Sequence, residues 1–283
     1  MLHPLVERVS AVGSQAVARV RRYRRVRFAY LALRTTMALS PRGRFLADVL
    51  CGREIGTYRS RRTGLVVSLR PRFDLQVARE QLSMDGYQFP AQVRAAVGLC
   101  GPSRILDLGA NIGLFTLNAS ARHRDASIVA VEPDPENAQL LRRNVTQNGL
   151  DSRVEIVEAI SGTAKGSAQF AVGNRELSHV TDDSDGVVLP VVDVFELARG
   201  CDHIKMDIEG GEWPILRDPR LADLDARTIV MEWHLRNAHV QQPRDEAERL
   251  LRSAGYEVVH CGREQFWAGE LWAYRAQAPT NRS

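Results

Sequence analysis

Short apolar runs punctuate the chain from about residue 100 onward: RILDLG (104–109), SIVAVE (127–132), VEIVEAI (154–160), HIKMDI (203–208) and TIVMEW (228–233). Between them lie segments whose apolar positions recur at helical spacing, such as PENAQLLRRNVTQNG and PRDEAERLLRSAG. Regular alternation of this kind predicts an α/β fold, a mostly parallel sheet with helices on both faces, and places a ligand outside the carboxyl ends of the strands. YEVVHCG and QFWAGELWAYRA read as a closing hairpin, and the Gly/Ser/Asp-rich interval of roughly 161–186 as a mobile loop or a small β insertion. Upstream, TGLVVSLRP predicts a strand, and residues 74–99 predict helical pieces broken at Pro90. The expected division is a basic helical N-terminal arm (1–55), a lid segment (56–101) and a catalytic domain (102–283).

The arm is where charge changes the picture. Residues 1–47 hold ten arginines against one acid, Glu7, so they carry +9 of a net +4 and leave −5 for the remainder. In RVRRYRRVRFAYLALRTTMAL, Val20, Tyr23, Phe28, Leu31 and Leu33 are expected to line one helical face, with Arg21, Arg22, Arg24 and Arg25 elsewhere. Such a helix packs on the catalytic domain, or meets anionic lipid headgroups or nucleic-acid phosphates. Arg34 interrupts the apolar stretch, which fits a cleaved signal poorly, so the arm is expected to be retained. Four dispersed cysteines without CxxC spacing argue against a disulfide scaffold and a zinc site and suggest reduced thiols in a cytoplasm. No apolar run is long enough to span a bilayer. Thirty-six of the thirty-eight basic residues are arginine, only Lys165 and Lys205 being lysine; genome composition is reason enough.

The first strand runs directly into Asp107-Leu-Gly109-Ala110-Asn111-Ile-Gly113, and a helix follows. A glycine loop there brings backbone amides close to a ligand. The spacing is GxxxG rather than GxGxxG, an acid precedes the first glycine by two, and the loop has no basic residue awaiting a pyrophosphate. A cationic, phosphate-free ligand fits better than a dinucleotide: an S-adenosylmethionine sulfonium with its amino-acid tail, Asp107 acting through the ammonium group or through loop amides and water. Glu132, nineteen residues past Gly113, ends the second strand where a carboxylate accepts both ribose hydroxyls, with Pro133 stiffening the turn. Glu158 and Ala159 lie where an adenine edge falls, surface exposure being the alternative for Glu158.

DLGANIGLFT, VEPDPENAQLLRRNVTQNGL, the strand ending in EAIS, HIKMDIEGGEWPIL and IVMEWH, in this order and spacing, resemble the FkbM family of S-adenosylmethionine-dependent methyltransferases over roughly residues 104–275. The resemblance implies a class I, Rossmann-like methyltransferase fold with a seven-stranded sheet and O-methylation of hydroxyls on sugars, glycolipids, polyketides or other secondary metabolites. The acceptor is then a small molecule or glycan rather than DNA, the protein being cytoplasmic with peripheral membrane contact through the arm as a further reading. An RNA methyltransferase using the arm, a non-catalytic cofactor-binding protein and a dinucleotide-dependent oxidoreductase are the rivals.

An aliphatic hydroxyl must lose its proton to attack a methyl group, so a base or a metal ion is needed. Period-two alternation puts Lys205, Asp207 and Glu209 on one side of their strand, and Glu232 and His234 share a face of the next. His234 is the expected general base, because an unperturbed imidazole titrates near neutrality. Asp207, Glu232 and Glu209 complete the expected catalytic set. Lys205 is expected to pair with Glu209 or Glu232, and Glu212 to complement a helix dipole. The metal-free mechanism is preferred over one in which Asp207 and Glu232 hold Mg²⁺.

Overall fold

A computed structural model describes residues 23–84, 86–97, 101–171, 179–180, 186–260, 264–265 and 267–276. The chain divides into two compact units, Met1–Gly86 and Tyr87–Ser283.

In the first unit a helix over residues 23–38 (α1) leads to β1 (Leu39–Ser40), α2 (Arg42–Cys51), β2 (Gly56–Ser60), β3 (Val66–Leu69) and α3 (Leu75–Ala78), which runs into a π-helical turn, Arg79–Ser83. β1, β2 and β3 form an antiparallel sheet in that order. This sheet joins what the sequence divided at residue 55, because β1 belongs to the arm and pairs with β2 beyond it. The helical extension thus also carries a short strand, and the two compact units meet in sequence at Gly86. Phe45 packs edge-on against Tyr58, whose hydroxyl donates to Asp48 Oδ2 at 2.7 Å. Arg72 donates to the carbonyls of Val49 and Leu50, closing the open end of α2.

The helical face expected of the arm is not the face observed. Leu31 is buried together with Ala32, Thr35 and Thr36, whereas Tyr23 and Leu33 are 68% and 61% exposed. At 100° per residue Leu31 and Leu33 point to different sides, so they cannot share the predicted stripe. Val20, Arg21 and Arg22 lie outside the described residues.

The second unit begins with α4 (Ala91–Val97), placed after Pro90 as expected, then β4 (Arg104–Leu108), α5 (Leu114–Arg122), β5 (Ser127–Val131), α6 (Pro135–Thr146) and β6 (Val154–Val157). After the small strands β7 (Ile160–Gly162), β8 (Gly166–Ala171) and β9 (His179–Val180) come β10 (Val187–Asp193), α7 (Val194–Leu197), β11 (His203–Met206), α8 (Glu212–Arg217) and β12 (Thr228–His234). The unit closes with α9 (Pro243–Ser253), β13 (Glu257–Val259), β14 (Glu264–Gln265) and β15 (Ala268–Tyr274).

The main sheet has the order β6-β5-β4-β11-β12-β15-β13, with β14 paired to β15 outside that path. Neighbours from β6 to β12 are parallel, and β15 runs antiparallel to both β12 and β13. This is the expected class I methyltransferase sheet, with the hairpin partners β13 and β15 adjacent. The sequence order reverses between β4 and β11, and the crevice above that switch point is the natural ligand site. The described residues of the Gly/Ser/Asp-rich interval take the β-insertion alternative, with β7, β8 and β9 joining β10 in a second sheet of order β7-β10-β8-β9. Arg153 donates to the carbonyls of His123, Arg124 and Ala126, and Arg275 to those of Leu224, Ala222 and Ala254. Each planar guanidinium thus satisfies several loop carbonyls at once.

Candidate active site

Strand β4 delivers the glycine loop at the switch point. Gly109, Asn111 and Gly113 take positive φ values of 75°, 52° and 83°. A Cβ on Gly109 would sit 1.9 Å from the Asp207 carbonyl oxygen, so only glycine lets the ends of β4 and β11 approach this closely. Asn111 tolerates the left-handed turn because its own Oδ1 accepts from the Ile112 amide at 2.7 Å. The Asn111 amide donates to Glu132 Oε2 at 2.7 Å, and the Asp134 amide to Glu132 Oε1 at 3.0 Å. Glu132 is therefore where the sequence placed it, at the end of β5 against the loop. Burial pushes its carboxyl up to about 7 despite these two amides.

Asp107, at the end of β4, is engaged by residues of its own chain. It is fully buried, with Oδ2 accepting from the Thr116 hydroxyl at 2.6 Å and Oδ1 lying 3.4 Å from Lys205 Nζ. Asp107 and Lys205 are register partners in adjacent parallel strands, so their side chains leave the sheet on the same face and meet there. The ammonium group also donates to the carbonyls of Gly109 at 2.6 Å and Leu108 at 3.2 Å. Burial works against this charge, and Asp107, Asp207 and Glu132 outweigh it, holding Lys205 above its ordinary range. The expected pairing of Lys205 with Glu209 or Glu232 gives way to one with Asp107 and, at 3.9 Å, Asp207.

The second half of the site lies at the ends of β11 and β12. Asp207, Glu209, Glu232 and His234 are brought together as the sequence predicted. His234 Nε2 lies 3.7 Å from Glu209 Oε2 and 4.0 Å from Asp207 Oδ1. Tyr87 Oη donates to Asp207 Oδ2 at 3.1 Å and lies 3.5 Å from Glu232 Oε2. Glu212, fully buried, is far more than a dipole complement: it accepts from the amides of Ile208 (3.1 Å) and Gly210 (2.9 Å) and holds His234 Nδ1 at 3.0 Å. The turn it braces carries Glu209 and Gly210 at φ 53° and 100°.

This arrangement revises the chemistry of His234. Burial disfavours the imidazolium, but the Glu212 hydrogen bond and the charges of Glu212, Asp207 and Glu209 win, raising His234 to about 10. An imidazole that already carries its second proton has no free lone pair to take another, so with a value near 10 His234 stands at neutral pH as a cation among carboxylates. Glu209 is raised as well, up to about 7, because burial and the charges of Asp207 and Glu212 exceed the pull of His234. Asp207, Glu232 and His234 also offer one ligand atom each within 4.8 Å of one another, a set suited to a divalent cation.

Glu158 takes the surface alternative, exposed and ion-paired with Arg142, while the neighbouring Ala159 is buried. His203, without a catalytic setting in the sequence, is a core residue stacked on Trp272 and bonded to Thr228 Oγ1 at 2.8 Å. Sequence reading missed Tyr87, which no motif marks and which reaches Asp207 across 120 positions. It also missed the brace formed by Glu212, although the acid directly after two glycines in KMDIEGGE is a visible signal.

Residues 107–258 match the Methyltransferase FkbM domain. The type II methyltransferase M.XamI of Xanthomonas campestris pv. amaranthicola is 38% identical over 37% of this chain, which spans 21% of that protein. The methyltransferase sdnD of Sordaria araneosa is 23% identical over 60% of this chain and 78% of its own length. Among solved structures, a methyltransferase FkbM from Methylobacillus flagellatus KT aligns with a TM-score of 0.45 and 16% identity, over 71% of this chain and 54% of that one.

Proposed function

The chain belongs to the FkbM methyltransferase family, and from that premise we propose that it transfers a methyl group from S-adenosylmethionine to a hydroxyl of a small molecule or glycan, of the sugar, glycolipid, polyketide or related class. The observation that supports this reading is the convergence of Asp207, Glu209, Glu232 and His234 beside the loop of Gly109, Asn111 and Gly113. The residues present suit the cofactor. The loop closes against Asp207 with no room for a side chain at Gly109, Glu132 keeps acceptor capacity beyond its two amide bonds, and Ala159 presents no bulk against an adenine. When bound, S-adenosylmethionine supplies an electrophilic methyl on a sulfonium.

The protein residues handle the proton. A base is most effective when it titrates near the operating pH, and Glu209 meets that condition where the protonated His234 does not. Glu209 takes the hydroxyl proton as the oxygen gains the methyl group. His234, fixed by Glu212, orients Glu209 and Asp207, and Tyr87 does the same for Asp207 and Glu232.

A second reading follows from the ligand set of Asp207, Glu232 and His234: a divalent cation there would displace the imidazole proton and lower the pKa of the acceptor hydroxyl. Labelled S-adenosylmethionine, incubated with the full chain and fractionated small-molecule, glycolipid and RNA pools, tests both. Label in a small-molecule or glycolipid pool, resistant to EDTA, supports the carboxylate base. Loss with EDTA and recovery with Mg²⁺ supports the cation, and label in RNA alone defeats the proposed acceptor.

A further inference from the structure

Thirteen large apolar side chains are exposed among the described residues, and ten of them lie in residues 23–84. Five of these form a pattern. Tyr23, Val26, Tyr30, Leu33 and Met37 follow one another along α1 at spacings of three and four, and they fall within an arc of about 80° at 100° per residue. The opposite side of the same helix is already buried through Leu31, Ala32, Thr35 and Thr36. The packing of α1 in its own unit therefore does not account for the second stripe, a contiguous apolar surface of the kind that marks an interaction site.

We propose that this face of α1 is a docking surface for an anionic lipid bilayer, on which the helix lies in the plane of the interface. Charge selects the occupant. The described part of α1 carries Arg24, Arg25, Arg27 and Arg34 and no acid. On the helical wheel Arg27 and Arg34 border the stripe along one side, where they meet lipid phosphates as the apolar residues enter the acyl boundary. Arg27 also donates to Gln76 Oε1, and Arg79 lies 5.5 Å over the Tyr30 ring, so the border is held in place by its own unit. A second copy of the helix would bring one arginine row against another, and the stripe spans only about two heptads, short for a coiled-coil seam. RNA would satisfy the arginines but leave Val26, Leu33 and Met37 without an apolar partner.

The test is sedimentation of the full chain with phosphatidylcholine vesicles, with and without phosphatidylglycerol. The apolar variant V26S/L33S/M37S and the charge variant R27Q/R34Q, which removes the two arginines bordering the stripe, are run in parallel, and thermal unfolding confirms that each stays folded. Binding should require phosphatidylglycerol, weaken with salt, fall on the order of fivefold for each arginine removed, and fall at least as far in the apolar variant. Equal binding to neutral vesicles, or unchanged binding by the apolar variant, overturns the proposal. So does retention of polyuridylate by a wild-type chain that ignores vesicles, or a dimer that the apolar variant dissociates without any vesicle binding.

Discussion

Two buried carboxylate–cation pairs stand at the carboxyl ends of the central strands, and they serve different ends. In Asp107–Lys205 the cation spends its donors inward, on Asp107 and on the carbonyls of Leu108 and Gly109. In Glu212–His234 only Nδ1 faces the buried acid, while Nε2 is left toward Glu209 and Asp207. The first pair fixes the loop on which a cofactor would rest. The second fixes a turn and lends a positive charge to the carboxylates that would meet a hydroxyl. Their common feature, an acid with no exposed surface, identifies the anchor; the side on which the cation has valence to spare identifies the chemistry.

If that distinction is right, Lys205→Met should cost the most stability, about 3–5 kcal/mol, because it strands Asp107 without its counter-charge. Adding Asp107→Asn should restore a large part of the loss, and urea unfolding of the two variants measures both. A single variant as stable as the parent would make the first pair ornamental. Glu209→Gln should leave folding and S-adenosylhomocysteine affinity close to those of the parent but lower label transfer by about 10² to 10⁴ fold, the scale of a lost proton acceptor. Unchanged transfer would move the base to Asp207 or to a bound cation.

Glu212→Gln should be milder, about 1–3 kcal/mol, since the amide keeps one acceptor and loses the charge. Its sharper readout is the His234 ring titration by NMR, which should drop from about 10 toward the ordinary 6.5. The same imidazole sets a pH dependence. A histidine raised from 6.5 to about 10 contributes stability that is fully present below pH 6.5 and is lost as the pH climbs through 10. Glu209, raised from 4.5 to about 7, adds a decline of the same direction within that lower window, because the folded state there holds the extra proton. Unfolding midpoints of the parent and His234→Asn on either side of pH 10 should converge at the alkaline end, and parallel curves would contradict the raised imidazole.

The parts legible in the sequence were those written locally. Strands β4, β5, β11 and β12 announce themselves as apolar runs, and the loop and Glu132 follow from spacing along one βαβ unit. Asp207, Glu209, Glu232 and His234 were legible because strand ends face one crevice. What the sequence hid depends on register and on distance. Whether Lys205 meets Asp107 or Glu232 is decided by which residues align across parallel strands separated by nearly a hundred positions. Tyr87 arrives from before β4, with no periodicity to aim it. The protonation of His234 depends on three acids converging from the strand end, the turn and the helix after it, so an intrinsic imidazole pKa misled. On α1, a residue list without angular bookkeeping merged two faces into one.

The inward burial of Lys205 has a practical corollary for reagents. It is one of only two lysines, and the other, Lys165, is 71% exposed at the turn before β8, paired with Glu196 at 2.6 Å. An amine-directed dye consequently has a single side chain to find in the folded chain, and that side chain sits on the β insertion rather than in the crevice. Thirty-six arginines stay silent to the same reagent, so among side chains the insertion alone takes the dye, beside the α-amino group that any chain bears, with no cysteine changed.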